Sequence, residues 1–313
     1  MASTVFNTNF ILKLFIVLSL FHMSFGTRKL TALFKVPSPN LTYHNGTLLS
    51  GAISINLYWY GSFTAAQRSI LSDFIISLSS PPPPPQSQSQ PTVSSWWQTI
   101  NKYYALAQPN NPSTLSLSLG NQILDSYSLG KSLTRAQIEQ LASQGAQNNA
   151  IVAVFTSADV AVERFCMDSC GTHGSDNNNK LVYIWVGNSQ TQCPGQCAWP
   201  FYQPISGPQT PPLVPPNGDV GCDGMVINFA SLLVGAITNP FGNGVYEGQA
   251  GAQLEAASAC QGIYAKGASA GNPGKLLVDS TTGASYNAVG DNGRKYVVPS
   301  MYDPSTSSCS TLV

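Results

Sequence analysis

The sequence predicts an α/β fold in which a central mixed sheet is flanked by helices, and three observations support it. Residues Ile53–Tyr60 alternate between apolar and other side chains, as a half-buried strand does. Two continuous apolar runs, Ile151–Phe155 and Leu181–Val186, have the length of buried strands. Apolar residues at helical spacing indicate several helices, the longest over residues 224–238. Strands and helices follow no regular βαβ rhythm, so we predict one α/β or α+β domain over residues 27–313.

Residues 1–26 have the pattern of a cleavable signal peptide. Lys13 precedes the apolar run Leu14–Phe21, and the small residues Ser24 and Gly26 precede the expected cleavage point. The run is too short for a membrane span, which takes about 20 residues. No later segment reads as long and apolar enough, so we expect a secreted protein that does not span a membrane.

The first strand and helix are well marked in the sequence. Gly61 ends the strand that begins near Ile53, and Thr64–Gln67 forms a capping box for a helix. Apolar residues continue at helical spacing to Leu78. The proline, glutamine and serine residues at 81–90 then predict an exposed loop that does not pack.

Two further helices are predicted before the buried strands. One begins at Ser94 or Ser95 and carries Trp96 and Trp97, and the other begins with a second capping box at Thr134–Gln137.

A second proline-rich loop, at 204–216, precedes the remaining predicted elements of the chain. The long helix that follows is ended by Asn239 and Pro240. Leu276–Val278 and Tyr296–Val298 are predicted as short strands joined through residues 290–293.

The charge balance argues against nucleic-acid and anionic-membrane partners. The chain has 14 Lys and Arg, 14 Asp and Glu, and only 9% charged residues, whereas such partners require clustered basic side chains. Two Asn-x-Thr sequons, at Asn40 and Asn45, are predicted sites of N-glycosylation in a secreted chain.

Seven cysteines lie between Cys166 and Cys309, and none lies before them. Disulfide bonds are the expected state of cysteines in an exported protein, with one of the seven left over. The alternative is a metal site built from the two Cys-x3-Cys segments, Cys166–Cys170 and Cys193–Cys197, together with His173. An oxidising compartment favours disulfides, so we predict no metal site and no cofactor.

No catalytic constellation stands out. Outside the signal peptide the histidines are His44, which reads as a surface residue, and His173, which either orients a site or, the favoured interpretation, stabilises a loop by a hydrogen bond. Gly267–Gly271 matches Gly-x-Ser-x-Gly, but no buried strand leads into it. Cys222, the only plausible odd cysteine, adjoins no cation or histidine that would activate it. We therefore predict no catalytic residues.

The tryptophans divide into core and surface positions. Trp59 and Trp185 lie in apolar strands, and Trp96 or Trp97 faces a helix core. Trp199 lies in a loop, and we predict it as an exposed platform on which wall sugars could stack.

Nine blocks spread over most of the chain resemble the plant EXORDIUM family, also called phosphate-induced proteins. The blocks are Gly51–Gly61, Val162–Met167, Cys170–Ser175, Trp185–Ser189, Cys193–Phe201, Gly224–Asn228, Thr238–Phe241, Leu254–Cys260 and Gly293–Tyr296. The loop at 81–90 departs from the family pattern.

This resemblance implies a secreted protein of the apoplast and cell wall that regulates growth and cell expansion and depends on brassinosteroid. No catalytic activity comes with the family. The implied partner is a cell-wall polymer or a cell-surface protein, and the alternatives are a secreted hydrolase or a wall carbohydrate-binding protein.

The resemblance also implies how the cysteines are used. The family pattern has another residue type at the position of Cys222, which leaves six cysteines for three bridges. We expect Cys260 to pair with Cys309, and the other four, Cys166, Cys170, Cys193 and Cys197, to pair among themselves.

A weaker resemblance concerns the long helix. It is similar to microbial relatives that carry His-Glu-x-x-Glu before Thr-Asp/Asn-Pro, a spacing that places metal ligands one helical turn apart. The matching positions here are Ser231, Leu232 and Gly235, and Glu255 matches a downstream acidic position. This implies a degenerate, zincin-like scaffold without its metal. The alternative is a plain core helix, and both interpretations predict no zinc catalysis at this helix.

Overall fold

The computed structural model describes residues 39–80, 90–110, 112–176, 178–207, 210–249 and 252–313. All of them belong to one unit, Pro39–Val313. The predicted signal peptide, and all but the last residue of the predicted loop at 81–90, lie outside the described residues.

Fifteen strands and six α-helices are assigned within the described residues. The strands are β1 (Thr42–Tyr43), β2 (Gly51–Tyr60), β3 (Leu115–Asp125), β4 (Ser132–Leu133), β5 (Ala150–Thr156), β6 (Ala161–Val162), β7 (Gly171–Ser175), β8 (Val182–Gly187), β9 (Val245–Tyr246), β10 (Leu277–Val278), β11 (Ser285–Tyr286), β12 (Ala288–Val289), β13 (Lys295–Tyr296), β14 (Met301–Asp303) and β15 (Ser308–Ser310). The helices are α1 (Ala65–Leu78), α2 (Val93–Trp97), α3 (Asn101–Ala107), α4 (Arg135–Gln144), α5 (Pro194–Cys197) and α6 (Val220–Thr238).

Five strands form the central mixed sheet, in the order β3–β2–β5–β8–β7. The first four run parallel to one another, and β7 runs antiparallel to β8 at one edge. Helices α1 to α3 connect β2 to β3, and α4 lies between β3 and β5. The predicted central sheet flanked by helices is confirmed, but the chain contains more βαβ crossover structure than its sequence pattern indicates.

Strand β2 is buried on both faces, which corrects the prediction of a half-buried strand. Ile55 and Trp59 face the main apolar cluster with α1 and α6, while Tyr58 and Tyr60 face a second cluster with α4. Asn56 is also buried, and its side chain donates to the Gly145 carbonyl over 2.9 Å. The strand tolerates polar groups on this face because its hydroxyl and amide groups find partners there.

Capping boxes begin three of the helices. The predicted boxes at Thr64–Gln67 and Thr134–Gln137 are present in the structure and start α1 and α4. A third box joins Thr92 and Ser95, so α2 begins at Val93 rather than at Ser94 or Ser95. Ser95, one of the two predicted starts, is the third residue of the helix. Its hydroxyl accepts from the Thr92 amide, and its own amide donates to the Thr92 hydroxyl.

Helix α6 begins at Val220, four residues before the predicted start, because Asp219 caps it by accepting from the Cys222 amide over 2.9 Å. It ends at Thr238, as Asn239 and Pro240 predict.

Helix α6 is long and apolar enough to cross a membrane, so the expectation that no later segment has this character is wrong. However, 78% of its most apolar window is buried inside the protein, as in the core helix of a globular domain.

The short C-terminal strands form separate hairpins, which corrects the predicted connection. Strand β10 pairs with β11, and β13 pairs with β12 across the turn at residues 290–293. The two predicted strands therefore exist but do not pair with each other. Each pairs instead with a two-residue strand, β11 or β12, which has too few apolar residues to be recognised in the sequence.

The cysteine predictions are confirmed. Disulfide bonds join Cys166 to Cys193, Cys170 to Cys197 and Cys260 to Cys309. Cys222 is free and buried. The alternative of a cysteine–metal cluster is wrong, since the four thiols it needs are consumed in two bridges.

Candidate functional site

The candidate site lies where the edge strand β7 crosses the C-terminal part of α6. His173 is the central residue of β7, opposite Ile184 of β8. It thus lies on a strand rather than in the predicted loop. Gly235, in the last turn of α6, lies beside the imidazole: a Cβ on this glycine would be 2.8 Å from His173 Nε2. The absence of a side chain at Gly235 makes room for the polar groups above the helix.

Those polar groups form a short hydrogen-bonded chain. His173 Nε2 lies 2.8 Å from Glu255 Oε2, and the other Glu255 oxygen accepts from Asn239 Nδ2 over 2.7 Å. Asn239 also donates to Gln253 Oε1 over 3.0 Å and accepts from the Gly244 amide over 2.8 Å. The predicted helix-stop residue therefore has a second role, because it holds the carboxylate that pairs with the histidine.

The pair is mostly withdrawn from solvent. The side chains of His173 and Glu255 are 13% and 15% exposed. His173 Nδ1 is buried and has no hydrogen-bond partner within the described residues. A histidine acts as a general acid or base only if one ring nitrogen reaches a substrate proton. Here one nitrogen is bonded to Glu255 and the other is buried, so neither ring nitrogen faces solvent in this structure.

The helix positions suggested by the weaker resemblance carry no metal-binding side chains. Ser231, Leu232 and Gly235 offer no imidazole, carboxylate or thiolate, and Leu232 packs toward Gly171 at the start of β7. Within the ranges that the structure describes, no group of three or more His, Cys, Asp or Glu could hold a metal ion. The zincin-like origin of this scaffold stays a prediction.

The other candidates for chemistry lie apart from His173. His44 is exposed, stacks on Tyr246 at 3.8 Å between ring centroids and contacts Thr42 Oγ1 at 3.1 Å. Burial raises the pKa of the Cys222 thiol, so the thiol is not activated. Residues 267–271 form turns and a bridge, with no strand leading into the serine.

Trp199 is partly buried, which corrects the expectation of an exposed ring. It packs on Tyr264 at 5.5 Å between ring centroids, beside the apolar cluster that contains Phe201. Exposed apolar side chains do occur on the loop that follows, which we call the proline-loop surface and define as Tyr202, Ile205 and Val214. Their exposed fractions are 48%, 70% and 50%.

Both sequons are accessible. Asn40 and Asn45 are exposed, on either side of the short strand β1. Glycosylation at these positions stays a prediction, as does sugar binding at Trp199.

Sequence reasoning identified His173 but missed its partners. Glu255 is 82 residues further along the chain, and no local spacing links the two. Asn239 was recognised only as a helix terminator. One signal was present in the sequence. Gly235, one turn before the helix end, has no side chain, so polar side chains from other segments can approach the helix there.

The fold and its cross-links define a class of protein: a disulfide-bonded α/β protein of the extracellular type. The family described as "Phosphate-induced protein 1 conserved region" matches residues 41–312. The chain therefore belongs to the plant EXORDIUM and phosphate-induced protein family.

Three relatives show how far the similarity extends. The chain is 61% identical to Protein PHOSPHATE-INDUCED 1 of Nicotiana tabacum, over 98% of this chain and 99% of the relative. It is 58% identical to Protein EXORDIUM of Arabidopsis thaliana, over 97% and 99% of the two chains. It is 56% identical to Protein EXORDIUM-like 1 of Arabidopsis thaliana, over 86% and 89%. No solved structure matches the chain.

Proposed function

We propose that this protein is secreted to the apoplast and cell wall and regulates growth and cell expansion under brassinosteroid control. It acts without catalysis, by binding a wall polymer or a cell-surface protein. It uses no cofactor and no metal. The observation that carries the non-catalytic part is the closed pair of His173 and Glu255.

The packing around this pair supports a structural role. Strand β7, the end of helix α6 and the segment containing Glu255 meet there. The Glu255 carboxylate is bonded to His173 of β7 and accepts a hydrogen bond from Asn239 at the helix end. Asn239 is buried with its amide and carbonyl both bonded. A site that must admit substrate between these elements would first have to break those bonds, at about 1–3 kcal/mol for each buried polar group left unpaired.

The proline-loop surface supports a binding role. Tyr202, Ile205 and Val214 are exposed apolar side chains on one connecting segment, and such segments often carry binding residues. The loop is anchored, since the Leu213 amide donates to the Pro200 carbonyl over 2.9 Å and the Val214 carbonyl accepts from the Ser285 amide over 2.9 Å. An anchored loop presents its side chains without losing much conformational entropy on binding.

The double variant Tyr202→Ala, Ile205→Ser tests this binding role. We expect it to lose retention on whichever of cellulose, xyloglucan and pectin retains the parent protein, by about tenfold or more, which corresponds to 1.4 kcal/mol. Pull-down from solution measures the bound fraction. The same variant is expected to restore brassinosteroid-dependent growth less well than the parent in plants that lack the protein.

Leu124→Ser is the matched control, because Leu124 is 64% exposed on the outer strand β3. It should bind and restore growth as the parent does. Equal retention of the parent and the double variant would remove the proline-loop surface from the proposal, and no retention on any polymer would leave a cell-surface protein as the partner.

A secreted hydrolase is the second candidate, favoured by the His173–Glu255 pair itself. The variant His173→Ala separates the two functions. We expect it to lower the free energy of unfolding by about 2 kcal/mol, because Glu255 Oε2 loses its donor in a mostly buried place. Growth restoration at a permissive temperature should remain.

Urea unfolding measures the stability, and His44→Ala is the control. His44 is exposed, so its loss should change stability by no more than about 0.5 kcal/mol. If the folded His173→Ala protein loses growth restoration together with a measurable activity on wall glycans or peptides, the hydrolase replaces the binding function.

A further inference from the structure

A second feature of the structure concerns the sequon at Asn45. This asparagine sits at φ = 62°, in the left-handed region that asparagine adopts more readily than most residues. The turn is held on both sides: Tyr43 donates its hydroxyl to the Gly46 carbonyl over 2.9 Å, and the His44 amide donates to the Gly244 carbonyl over 2.8 Å. Asn45 is therefore exposed on a fixed turn.

A groove of about 360 Å³ opens directly beside this asparagine. We call it the Asn45 groove; its lining includes Tyr43, Asn45, Leu48, Tyr104, Gln108 and Ser113. Tyr104 is buried and donates its hydroxyl to the Leu49 carbonyl, which ties α3 to the segment after the sequon. The groove thus has a fixed wall on each side, one from the sequon turn and one from α3.

The chemistry of the lining suits a sugar. The exposed lining is mostly polar, with groups that include Gln108 and Ser113, whose side chains are bonded to each other over 3.1 Å, and its apolar part is small. A pyranose ring presents a rim of hydroxyl groups around small apolar C–H faces, which suits a lining of this kind. Ligand clefts range from about 300 to 1,000 Å³, so this groove matches a short saccharide rather than a polymer chain.

We propose that Asn45 carries an N-linked glycan whose first sugar residues lie in the Asn45 groove and stabilise the fold. Attachment forms a bond from Asn45 Nδ2 to the anomeric carbon of the donor oligosaccharide. The bond from that carbon to the polyprenyl diphosphate carrier breaks, the carrier leaves as the diphosphate, and Nδ2 loses one proton. The inference rests on secretion, which is part of the proposed function.

The neighbouring sequon provides an internal comparison. Asn40 is exposed and does not line the groove. Its backbone amide donates to Glu247 Oε2 over 2.6 Å, so it too has a fixed position. A glycan on Asn40 would begin outside this groove and is expected to extend into solvent.

Enzymatic release of the glycans from the folded protein tests the proposal. The full chain is secreted from cultured mammalian cells, and mass analysis of its peptides establishes occupancy of both sites. Treatment with peptide N-glycosidase without denaturant should release the Asn40 glycan at least about tenfold faster than the Asn45 glycan, since a tenfold difference needs only 1.4 kcal/mol of protection. After denaturation both should be released equally.

Two kinds of variant complete the test. Thr47→Ala removes the Asn45 sequon but keeps the asparagine that the left-handed turn favours. It should lower the Tm by about 3 °C relative to Thr42→Ala, which removes the Asn40 sequon, the shift that about 1 kcal/mol produces in a domain of this size. Ser113→Trp fills the groove and changes no residue of either sequon, and it should make the Asn45 glycan as easy to release as the Asn40 glycan.

Equal release rates in the folded parent protein, or equal Tm values of the two Thr→Ala variants, would overturn the proposal. A sugar on Asn40 with none on Asn45 would overturn it while leaving secretion intact. Absence of sugar from both sites of the secreted chain would overturn this proposal, whereas retention of the chain inside the cells would count against the proposed secretion.

Discussion

Replacing Cys260 and Cys309 with alanine is expected to lower the free energy of unfolding by about 4 kcal/mol. The bridge closes a loop between residues 49 positions apart, and loop closure in the unfolded chain accounts for a loss of this size. Domains are stable by only about 5–15 kcal/mol, so the variant should unfold at a much lower urea concentration. Urea titration followed by circular dichroism measures the difference.

The matched control for the bridge is Cys222→Ala. It removes a buried thiol that forms no cross-link, and we expect a loss of about 1 kcal/mol from the small cavity. Similar losses in the two variants would show that the bridge contributes no more than the packing of its sulfur atoms. The bridge also bears on the candidate site, because the main-chain carbonyl of Glu255 accepts from the Ala259 amide over 2.8 Å, immediately before Cys260.

A second large effect is expected from pH. Asp223 is 2% exposed in the first turn of α6. Burial raises its pKa from 3.8 to about 7, although the Asn217 amide and side chain donate to its oxygens over 2.9 and 2.6 Å. The nearby Asp219 acts in the same direction. Arg294 reaches only the far side of Asn217, over 2.9 Å, and forms its ion pair with Asp73 instead.

The sign follows from the raised pKa. Between pH 3.8 and 7 the aspartate is ionised in the unfolded chain and protonated in the fold, so the folded state holds the extra proton. The stability that the Asp223 carboxyl contributes is therefore fully present below pH 3.8 and is lost as the pH rises to 7. The loss amounts to about 4 kcal/mol, at 1.36 kcal/mol for each pKa unit. The protein should thus be more stable in mildly acidic than in neutral solution.

Urea unfolding at several pH values from 4.5 to 8 measures this loss. The variant Asp223→Asn should show little change over that range, because the titrating group is gone. Asp159→Asn is the control, since the hydrogen bond from Lys131 lowers the pKa of Asp159 to about 2, below this pH range, and its loss should leave the slope unchanged. A slope that persists in Asp223→Asn would assign the pH dependence to another group.

Local signals predicted much of this fold. The capping boxes at Thr64 and Thr134 and the stop at Asn239–Pro240 are each set by contacts within a few residues, so the sequence reveals them directly. Short strands are different. Ser285–Tyr286 and Ala288–Val289 are defined by the partners they meet rather than by their own composition.

The candidate site could be predicted only in part for the same reason. His173 drew attention because it is one of few histidines, and Glu255 because of a family position. Their contact depends on the placement of β7, which pairs antiparallel with β8, against α6 and on the missing side chain of Gly235. Such a contact joins three segments, and none of them carries the information about the other two.

The parallel arrangement of the central sheet has a consequence for how the chain reaches its native state. Strand β2 finds both of its neighbours, β3 and β5, only after the intervening helices have been made. Pairings between distant segments lose loop entropy before they gain contacts, which makes folding slow. During synthesis the unpaired backbone N–H and C=O groups along the edges of β2 thus stay open until β5 has left the ribosome, and an open, largely apolar strand invites aggregation. We therefore expect the chain to be most prone to aggregation before β5 is made, which precedes the first cross-link, Cys166–Cys193.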